Sequence, residues 1–97
     1  MKTINPKVYE FEAIIIKAPD MDAAYIEFPY DVEKEFAKKR VFVKANFDGY
    51  PYHGSLVKMG TTNHIIGIKK EIRKIIKKEA GDIVKVNIKE RYKDELS

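Results

Sequence analysis

A strand–helix–strand pattern that occurs twice is the feature that most constrains the fold of this chain. Three apolar residues recur forty positions later, and three strand residues recur forty-three positions later. The matching pairs are Phe28/Ile68, Val32/Ile72 and Phe36/Ile76, followed by Val41/Val84, Val43/Val86 and Ala45/Ile88. Two related units predict one barrel closed around a pseudo-twofold axis, which would also remove exposed sheet edges. A chance match between two unrelated strand–helix–strand units stays open as the alternative.

Alternating β-branched and aromatic residues, interrupted by Gly, Pro and Asp, predict a mostly β chain. Asp31 is typical of a helix N-cap. The Asp48-Gly49 pair begins a predicted turn over 48–51, because it tolerates the positive φ of a tight hairpin. We expect a six-stranded barrel with one short and one longer helix. The strands are predicted over 8–18, 24–28, 41–47, 52–59, 64–68 and 83–92, and the helices over 31–38 and 69–80.

Length and composition exclude several classes of protein. The 97 residues suffice for one domain, which we expect to be ordered over about 7–92. The chain has no Cys, which excludes a disulfide scaffold, a Cys-ligated metal and a thiol nucleophile. There is no run of about 18 apolar residues and no signal peptide, so we expect a cytoplasmic protein without a membrane partner. The net charge of +4 permits a nucleic-acid partner without requiring one.

The few residues that suggest catalysis form no recognisable constellation. Ser55 lies two residues from His53, but such residues in a strand are about 6.5 Å apart, and no nucleophile elbow is present. A metal site would have to combine His53 and His64 with Asp48 or Asp82, and no spacing supports that. We therefore expect two solvent-tolerant histidines, no enzyme activity, no metal and no cofactor.

The longer predicted helix carries the most concentrated charge in the chain. Five of its six cations lie off the predicted apolar stripe of Ile68, Ile72, Ile75, Ile76 and Ala80. The six cations are Lys69, Lys70, Arg73, Lys74, Lys77 and Lys78. By contrast, residues 19–38 hold six acids and two lysines. A positive helix binds phosphate or an acidic surface, whereas the alternative is a solvated face in a Lys-rich protein.

A run of turn and core residues in the second half carries a family resemblance. It reads Asp48-Gly49-x-Pro51, Gly54-Ser55-Leu56-x-x-x-Gly60, then a helix with Arg73, then Gly81-Asp82-x-Val84. This pattern resembles a small bacterial and archaeal family catalogued as a domain of unknown function, over about 11–88. The resemblance implies a double-split β-barrel, and no catalytic role for any motif residue.

The same family suggests two wider comparisons. Some members carry a second, C-terminal domain of the bacteriocin-protection or OmpD-associated type, which we expect this chain to lack. More distantly, the barrel is similar to that of AbrB-type regulators, which build it from two chains and bind DNA. The motif residues with predicted structural roles are Gly49, Gly54, Leu56, Gly60, Gly81 and Asp82. We expect Gly81 to end the longer helix and the Asp82 carboxylate to accept hydrogen bonds from amides of the next strand.

Two functions are compatible with these residues. The first is a non-enzymatic binding module for an anionic small molecule or a protein partner, with a site formed by Ser55, Lys70, Arg73 and Lys74. Arg73 would donate a two-pronged hydrogen bond to an anion, the lysines would add positive field, and Ser55 would donate one more hydrogen bond. The second is a DNA-binding, regulator-like protein that uses the basic helix. Aromatics beside the hairpin, such as Phe42 and Tyr52, either stack bases or pack across strands.

Overall fold

The computed structural model describes residues 4–19, 22–58, 60 and 62–92. Position 59, the predicted end of the fourth strand, lies outside the described residues. The described residues form a mostly β fold of seven strands and two helices. The strands are β1 Val8–Ile14, β2 Ile16–Lys17, β3 Ala24–Glu27, β4 Val41–Phe47, β5 Tyr50–Leu56, β6 Ile65–Ile68 and β7 Ile83–Glu90, and the helices are α1 Val32–Phe36 and α2 Lys70–Ile76.

The described strands form two antiparallel sheets rather than one closed six-stranded barrel. The four-stranded sheet has the order β1-β7-β4-β5, and the three-stranded sheet has the order β2-β3-β6. The first predicted strand is divided at Ile15, whose side chain is 1% exposed. Its N–H donates to the Asp82 carbonyl and its own carbonyl accepts from Gly81. The chain therefore leaves one sheet at Ile15 and enters the other, and a bridge between Val57 and Ile65 also connects the two sheets.

Residues that the sequence repeat equates lie directly opposite each other. Ile26 pairs with Ile66 between β3 and β6, and these residues are forty positions apart. Ala45 pairs with Ile88 between β4 and β7, and these are forty-three apart. When a twofold axis passes between two antiparallel strands, each residue near the axis lies opposite its own equivalent in the other strand. The register therefore agrees with the two offsets found in the sequence.

The core consists of the inward-facing residues of both sheets and one face of each helix. In β4 and β7 the buried and exposed residues alternate along the strand. The largest fully buried side chains include Phe28, Phe47, Ile15, Ile26 and Leu56. Asp31 caps α1, because its carboxylate accepts a hydrogen bond from the Lys34 N–H. Neither described helix has the length and apolar content needed to cross a membrane, and the cytoplasmic location stays a prediction.

The longer helix is one turn shorter than predicted. It ends at Ile76 because Lys77 adopts a left-handed conformation with φ of 60° and donates its N–H to the Arg73 carbonyl. Gly81, with φ of 98°, therefore belongs to the following loop and does not end the helix. The predicted apolar stripe is also wrong at Ile75, which is 56% exposed, and at Ala80, which lies beyond the helix.

The hairpin between β4 and β5 is tighter than predicted. Phe47 pairs with Tyr50, so the turn consists of Asp48 and Gly49 alone, with φ of 50° and 93°. Positive φ at both central residues is the reason that Asp-Gly is favoured here. Tyr50 and Pro51 belong to β5 instead of the turn. A proline is tolerated there because β5 is an edge strand of the four-stranded sheet.

Candidate functional site

A groove of about 400 Å³ lies where β6 passes into α2. Its walls come from the start of β3, the end of β6 and the start of α2, with one aromatic ring from β5. The charged and aromatic residues that line it are Asp22, Tyr52, Lys69, Lys70, Glu71 and Arg73. Three of these six side chains are cationic and two are carboxylates. We call this concavity the α2 groove.

Arg73 is the buried cation of the α2 groove. Only 7% of its side chain is exposed, although the sequence placed it on the solvated side of the helix. It takes the inward position that was predicted for Ile75. Its Nη1 donates to the Glu79 Oε1 at 2.7 Å. Its Nε is buried and has no hydrogen-bond partner within the described part of the chain. A buried guanidinium N–H without an acceptor costs free energy, and Arg73 is one of the residues that line the groove.

Two exposed lysines lie at the mouth of the α2 groove. The Lys70 Nζ is 3.7 Å from the Asp22 carboxylate, and both side chains are mostly exposed, so this ion pair is weak. The Lys69 Nζ lies 5.6 Å from the centre of the Tyr52 ring, which is cation–π geometry. Both ammonium groups are therefore held near the groove without being neutralised by a buried partner.

Gly54 allows the Tyr52 ring to occupy the wall of the groove. A Cβ at Gly54 would lie 2.6 Å from Tyr52 Cε2 and 3.1 Å from Ile66 Cδ1. Any larger residue would displace the ring. The adjacent Leu56 is fully buried in the core. The Gly54-Ser55-Leu56 motif thus combines a space for an aromatic ring, an outward side chain and a core residue.

The four residues predicted to form the site are not all brought together. Lys70 and Arg73 line the α2 groove, whereas Ser55 and Lys74 do not. Ser55 pairs with Phe42 on the face of the four-stranded sheet that points away from the core. Lys74 is exposed on α2. Lys69 and Tyr52 are groove residues that the predicted site omitted. The only sequence signal for Lys69 is its place in the basic helix, and the only one for Tyr52 is its place beside the hairpin.

Not all the cations of the basic segment face solvent. The Lys78 Nζ is 3.0 Å from the Asp48 carboxylate and donates to the Ile83 carbonyl at 2.6 Å. The other Asp48 carboxylate oxygen accepts from the Lys85 N–H at 2.8 Å. Partial burial acts to raise the pKa of Asp48, but the Lys85 N–H and the Lys78 ammonium outweigh it and lower that pKa below its ordinary value. Lys78 therefore connects the hairpin to the start of β7.

The two histidines and Asp82, which the sequence analysis considered for a metal site, have structural positions instead. His64 is 5% exposed, contrary to the prediction, and its Nε2 is 2.6 Å from the Lys39 carbonyl oxygen. His53 lies on β5 opposite Lys44, away from His64. The Asp82 carboxylate accepts from the Glu79 N–H at 2.9 Å, so it closes the preceding loop and does not cap the following strand.

A second polar cluster surrounds the end of β7. The Glu90 side chain is 2% exposed and pairs with Lys38, and its other oxygen accepts from the Asn5 N–H. The Tyr9 hydroxyl donates to Glu35 at 2.7 Å and accepts from the Asn5 amide. Burial and the Glu35 carboxylate raise the pKa of the Tyr9 phenol. These groups satisfy one another, so the cluster connects α1 to both ends of the chain as a structural network.

The fold and the groove define a small, mostly β protein with a cation-lined concavity beside its second helix. The model of the family described as Domain of unknown function (DUF1905) matches residues 11–88. This match covers most of the chain, which therefore belongs to that family, as the motif predicted. A comparison with curated proteins finds no match.

Proposed function

We propose that this protein is a non-enzymatic binding module that holds a small anion, a carboxylate or a phosphate, in the α2 groove. The observation that carries the proposal is Arg73, which lines the groove and whose buried Nε has no hydrogen-bond partner among the described residues. Lys69 and Lys70 lie at the mouth and would add positive field. Three cations line the groove with two carboxylates, Asp22 and Glu71, and this excess of positive charge suits holding an anion.

The proposed site differs from the grouping expected from sequence in two of its four residues. Arg73 and Lys70 keep their expected roles as hydrogen-bond donor and source of positive field. Lys69 and Tyr52 replace Lys74 and Ser55. Glu79 already accepts a hydrogen bond from the Arg73 Nη1, so the anion would accept from the edge of the guanidinium that carries the Arg73 Nε.

Thermal unfolding with acetate and with inorganic phosphate at low salt tests this proposal. An anion at about a hundred times its dissociation constant stabilises the fold by about 2.7 kcal/mol, which is about 10 °C or more in a domain of this size. Arg73→Gln should abolish the shift, and the control Lys74→Gln, on the exposed side of α2, should keep it. Glu79→Gln should increase the shift, because it frees the guanidinium from its carboxylate. A shift that survives in Arg73→Gln overturns the proposal, and the two anions separate carboxylate from phosphate recognition.

DNA binding through the basic helix remains the second candidate. Its support is the set of exposed cations Lys69, Lys70, Lys74 and Lys77. Lys78 and Arg73 are already engaged by Asp48 and Glu79, so the helix offers fewer charges than the sequence suggested. A mobility shift with duplex DNA that falls steeply with salt and is lost in Lys74→Gln would favour this candidate.

We also propose that the two strand–helix–strand units are related by a pseudo-twofold axis, as in an opened double-split barrel. The support is the pairing of Ile26 with Ile66 and of Ala45 with Ile88, together with the bridge that connects the sheets at Val57. The distant similarity to AbrB-type barrels rests on the sequence motif and stays a prediction.

A further inference from the structure

A concavity of about 560 Å³ lies beside α1, and it shares no lining residue with the α2 groove. Its walls come from α1, from the loop between α1 and β4, and from both ends of the loop between β5 and β6. The lining residues are Glu33, Lys39, Arg40, Val57, Lys58 and His64. Three of these six are lysine or arginine, and one is a carboxylate. We call this concavity the α1 pocket.

His64 connects the two chain segments that carry the cations of the α1 pocket. Its ring is buried, and its Nε2 donates to the Lys39 carbonyl oxygen at 2.6 Å, since a carbonyl oxygen can only accept. The next residue, Ile65, exchanges two backbone hydrogen bonds with Val57, at 2.7 and 3.0 Å. Lys58 follows Val57 directly. The backbones that carry Lys39 and Lys58 are therefore both tied to the segment 64–65.

The three cations of the α1 pocket have no acidic partner in the described part of the chain. Lys39, Arg40 and Lys58 are all exposed, and none of them forms an ion pair with a carboxylate of those residues. The Arg40 guanidinium carbon lies 5.5 Å from the centre of the Phe42 ring, which is cation–π geometry. This contact uses no hydrogen-bond acceptor, so the Arg40 N–H donors remain for a ligand.

The carboxylates around the α1 pocket leave an excess of positive charge. Glu33 lines the pocket and is exposed in the first turn of α1. Asp31 lines the adjoining concavity and accepts the Lys34 N–H. Glu90 is buried and pairs with Lys38 instead. Like charges gathered in one concavity repel each other, and a bound anion offsets that repulsion.

We propose that the α1 pocket binds a diphosphate group, either as free pyrophosphate or as part of a nucleotide. Arg40 would donate to two oxygens of one phosphate, and the Lys39 and Lys58 ammonium groups would act as point charges on the pair. The cations come from two separate chain segments. Two linked phosphates can contact both segments together, whereas acetate or a single phosphate meets fewer of the cations.

A titration of the full chain with pyrophosphate at low salt, followed by backbone amide NMR shifts, tests this proposal. We expect saturable shifts clustered at Lys39, Arg40, Lys58 and His64. Inorganic phosphate should saturate the same cluster about tenfold more weakly, because it loses at least one charge-assisted hydrogen bond. ADP in place of pyrophosphate distinguishes the two sources of the group: affinity equal to or above that of pyrophosphate indicates a nucleotide, and lower affinity indicates the free anion.

Charge-matched variants test the role of the cations. The double variant Arg40→Gln, Lys58→Gln should bind pyrophosphate about tenfold or more weakly. The control Lys74→Gln, Lys77→Gln removes the same charge from exposed positions of the α2 region and should keep the affinity of the unmodified protein. Thermal unfolding without ligand separates lost binding from lost folding. The midpoint of the Arg40→Gln, Lys58→Gln variant should be unchanged or higher, because it removes two mutually repelling charges from exposed positions.

Four results would overturn the proposal. The first is that pyrophosphate causes no saturable shifts in the α1 pocket, and the second is that inorganic phosphate saturates them equally well. The third is that the Arg40→Gln, Lys58→Gln variant keeps its affinity, and the fourth is that the control loses as much affinity as this variant. Shifts confined to the α2 groove would overturn diphosphate binding in the α1 pocket and leave the proposed function in place.

Discussion

The two strand–helix–strand units of this protein have the same order of elements and different polar residues. In the first unit β3 leads through α1 to β4, and in the second β6 leads through α2 to β7. Both helices end in a left-handed residue at equivalent positions, Ala37 with φ of 56° and Lys77 with φ of 60°. Phe36 and Ile76, one residue earlier, both contact the core.

The units differ in charge and in burial at the equivalent positions 33 and 73. In the first unit Glu33 is exposed in the first turn of α1, where an acid suits the helix dipole. In the second unit Arg73 is buried against Glu79 and reaches the α2 groove. Two units that share one core need their apolar positions in both units, whereas a buried cation in one unit needs another explanation. The proposed anion site lies where the second unit departs from the first.

The shared scaffold is tested by truncating equivalent core residues in the two units. Phe28→Ala should destabilise the protein by about 3–5 kcal/mol and Ile68→Ala by about 2–5 kcal/mol, because both side chains are buried and leave cavities. Urea unfolding followed by circular dichroism measures both. A near-zero cost at either position would mean that the two units do not contribute jointly to one core.

The asymmetry between the units is tested at the two equivalent polar positions. Arg73→Ala should cost about 1–3 kcal/mol through the lost ion pair and buried stem, whereas Glu33→Ala should change stability by less than about 0.5 kcal/mol. Equal costs in the same unfolding experiment would remove the distinction between the two helices.

The connection between the units is tested at the hairpin. Gly49→Ala should cost about 1–2 kcal/mol, because Gly49 has a φ of 93° that side chains disfavour. Gly67→Ala is the matched control, since a Cβ there meets only the Ala24 carbonyl at 3.8 Å. If the Gly49→Ala and Gly67→Ala variants unfold at the same temperature midpoint, the strain expected at the turn is absent.

The smallest effect concerns the contact of the hairpin with the second unit. The pKa of Asp48 is lowered in the folded state, so this carboxylate stabilises the protein above the unfolded pKa of about 3.9, and the contribution is lost as the pH falls below that value. Asp48→Asn should cost at most about 1 kcal/mol at neutral pH and should flatten the acid side of the stability profile. If Asp48→Asn and the unmodified protein show the same dependence of stability on pH from pH 7 to pH 2, this assignment is contradicted.

The sequence predicted the parts of the fold that depend on local pattern. Asp48-Gly49 identified the hairpin, and the observed pairing of Ile26 with Ile66 agrees with the forty-residue offset of the repeat. It did not predict the division at Ile15, because a run of three isoleucines gives no local signal for the place where a strand changes sheet. The sequence also did not predict that α2 ends before Lys77. Glycine is the usual sign of a left-handed residue at a helix end, and here that residue is a lysine.

The site was less predictable because it depends on which face of each element meets the core. Arg73 was identified as a donor, but its burial follows from a helix rotation that places it inward and Ile75 outward. Ser55 and Arg73 belong to the same sequence motif. Side chains alternate between the two faces along β5, however, and Ser55 lies on the face of the four-stranded sheet that points away from the core. Gly54 was noted as a motif residue, and only the structure relates it to the Tyr52 ring.

The most direct test of the central claim is a titration with inorganic phosphate and with acetate, followed by backbone amide NMR shifts on the full chain. The claim predicts saturable shifts clustered at Gly67, Lys69, Lys70 and Arg73, and no comparable shifts at Glu27, Tyr30 and Glu33, the equivalent residues of the first unit that have a backbone amide. It also predicts that Arg73→Gln removes them. Shifts spread evenly over both helices, or a cluster that persists in Arg73→Gln, would contradict it.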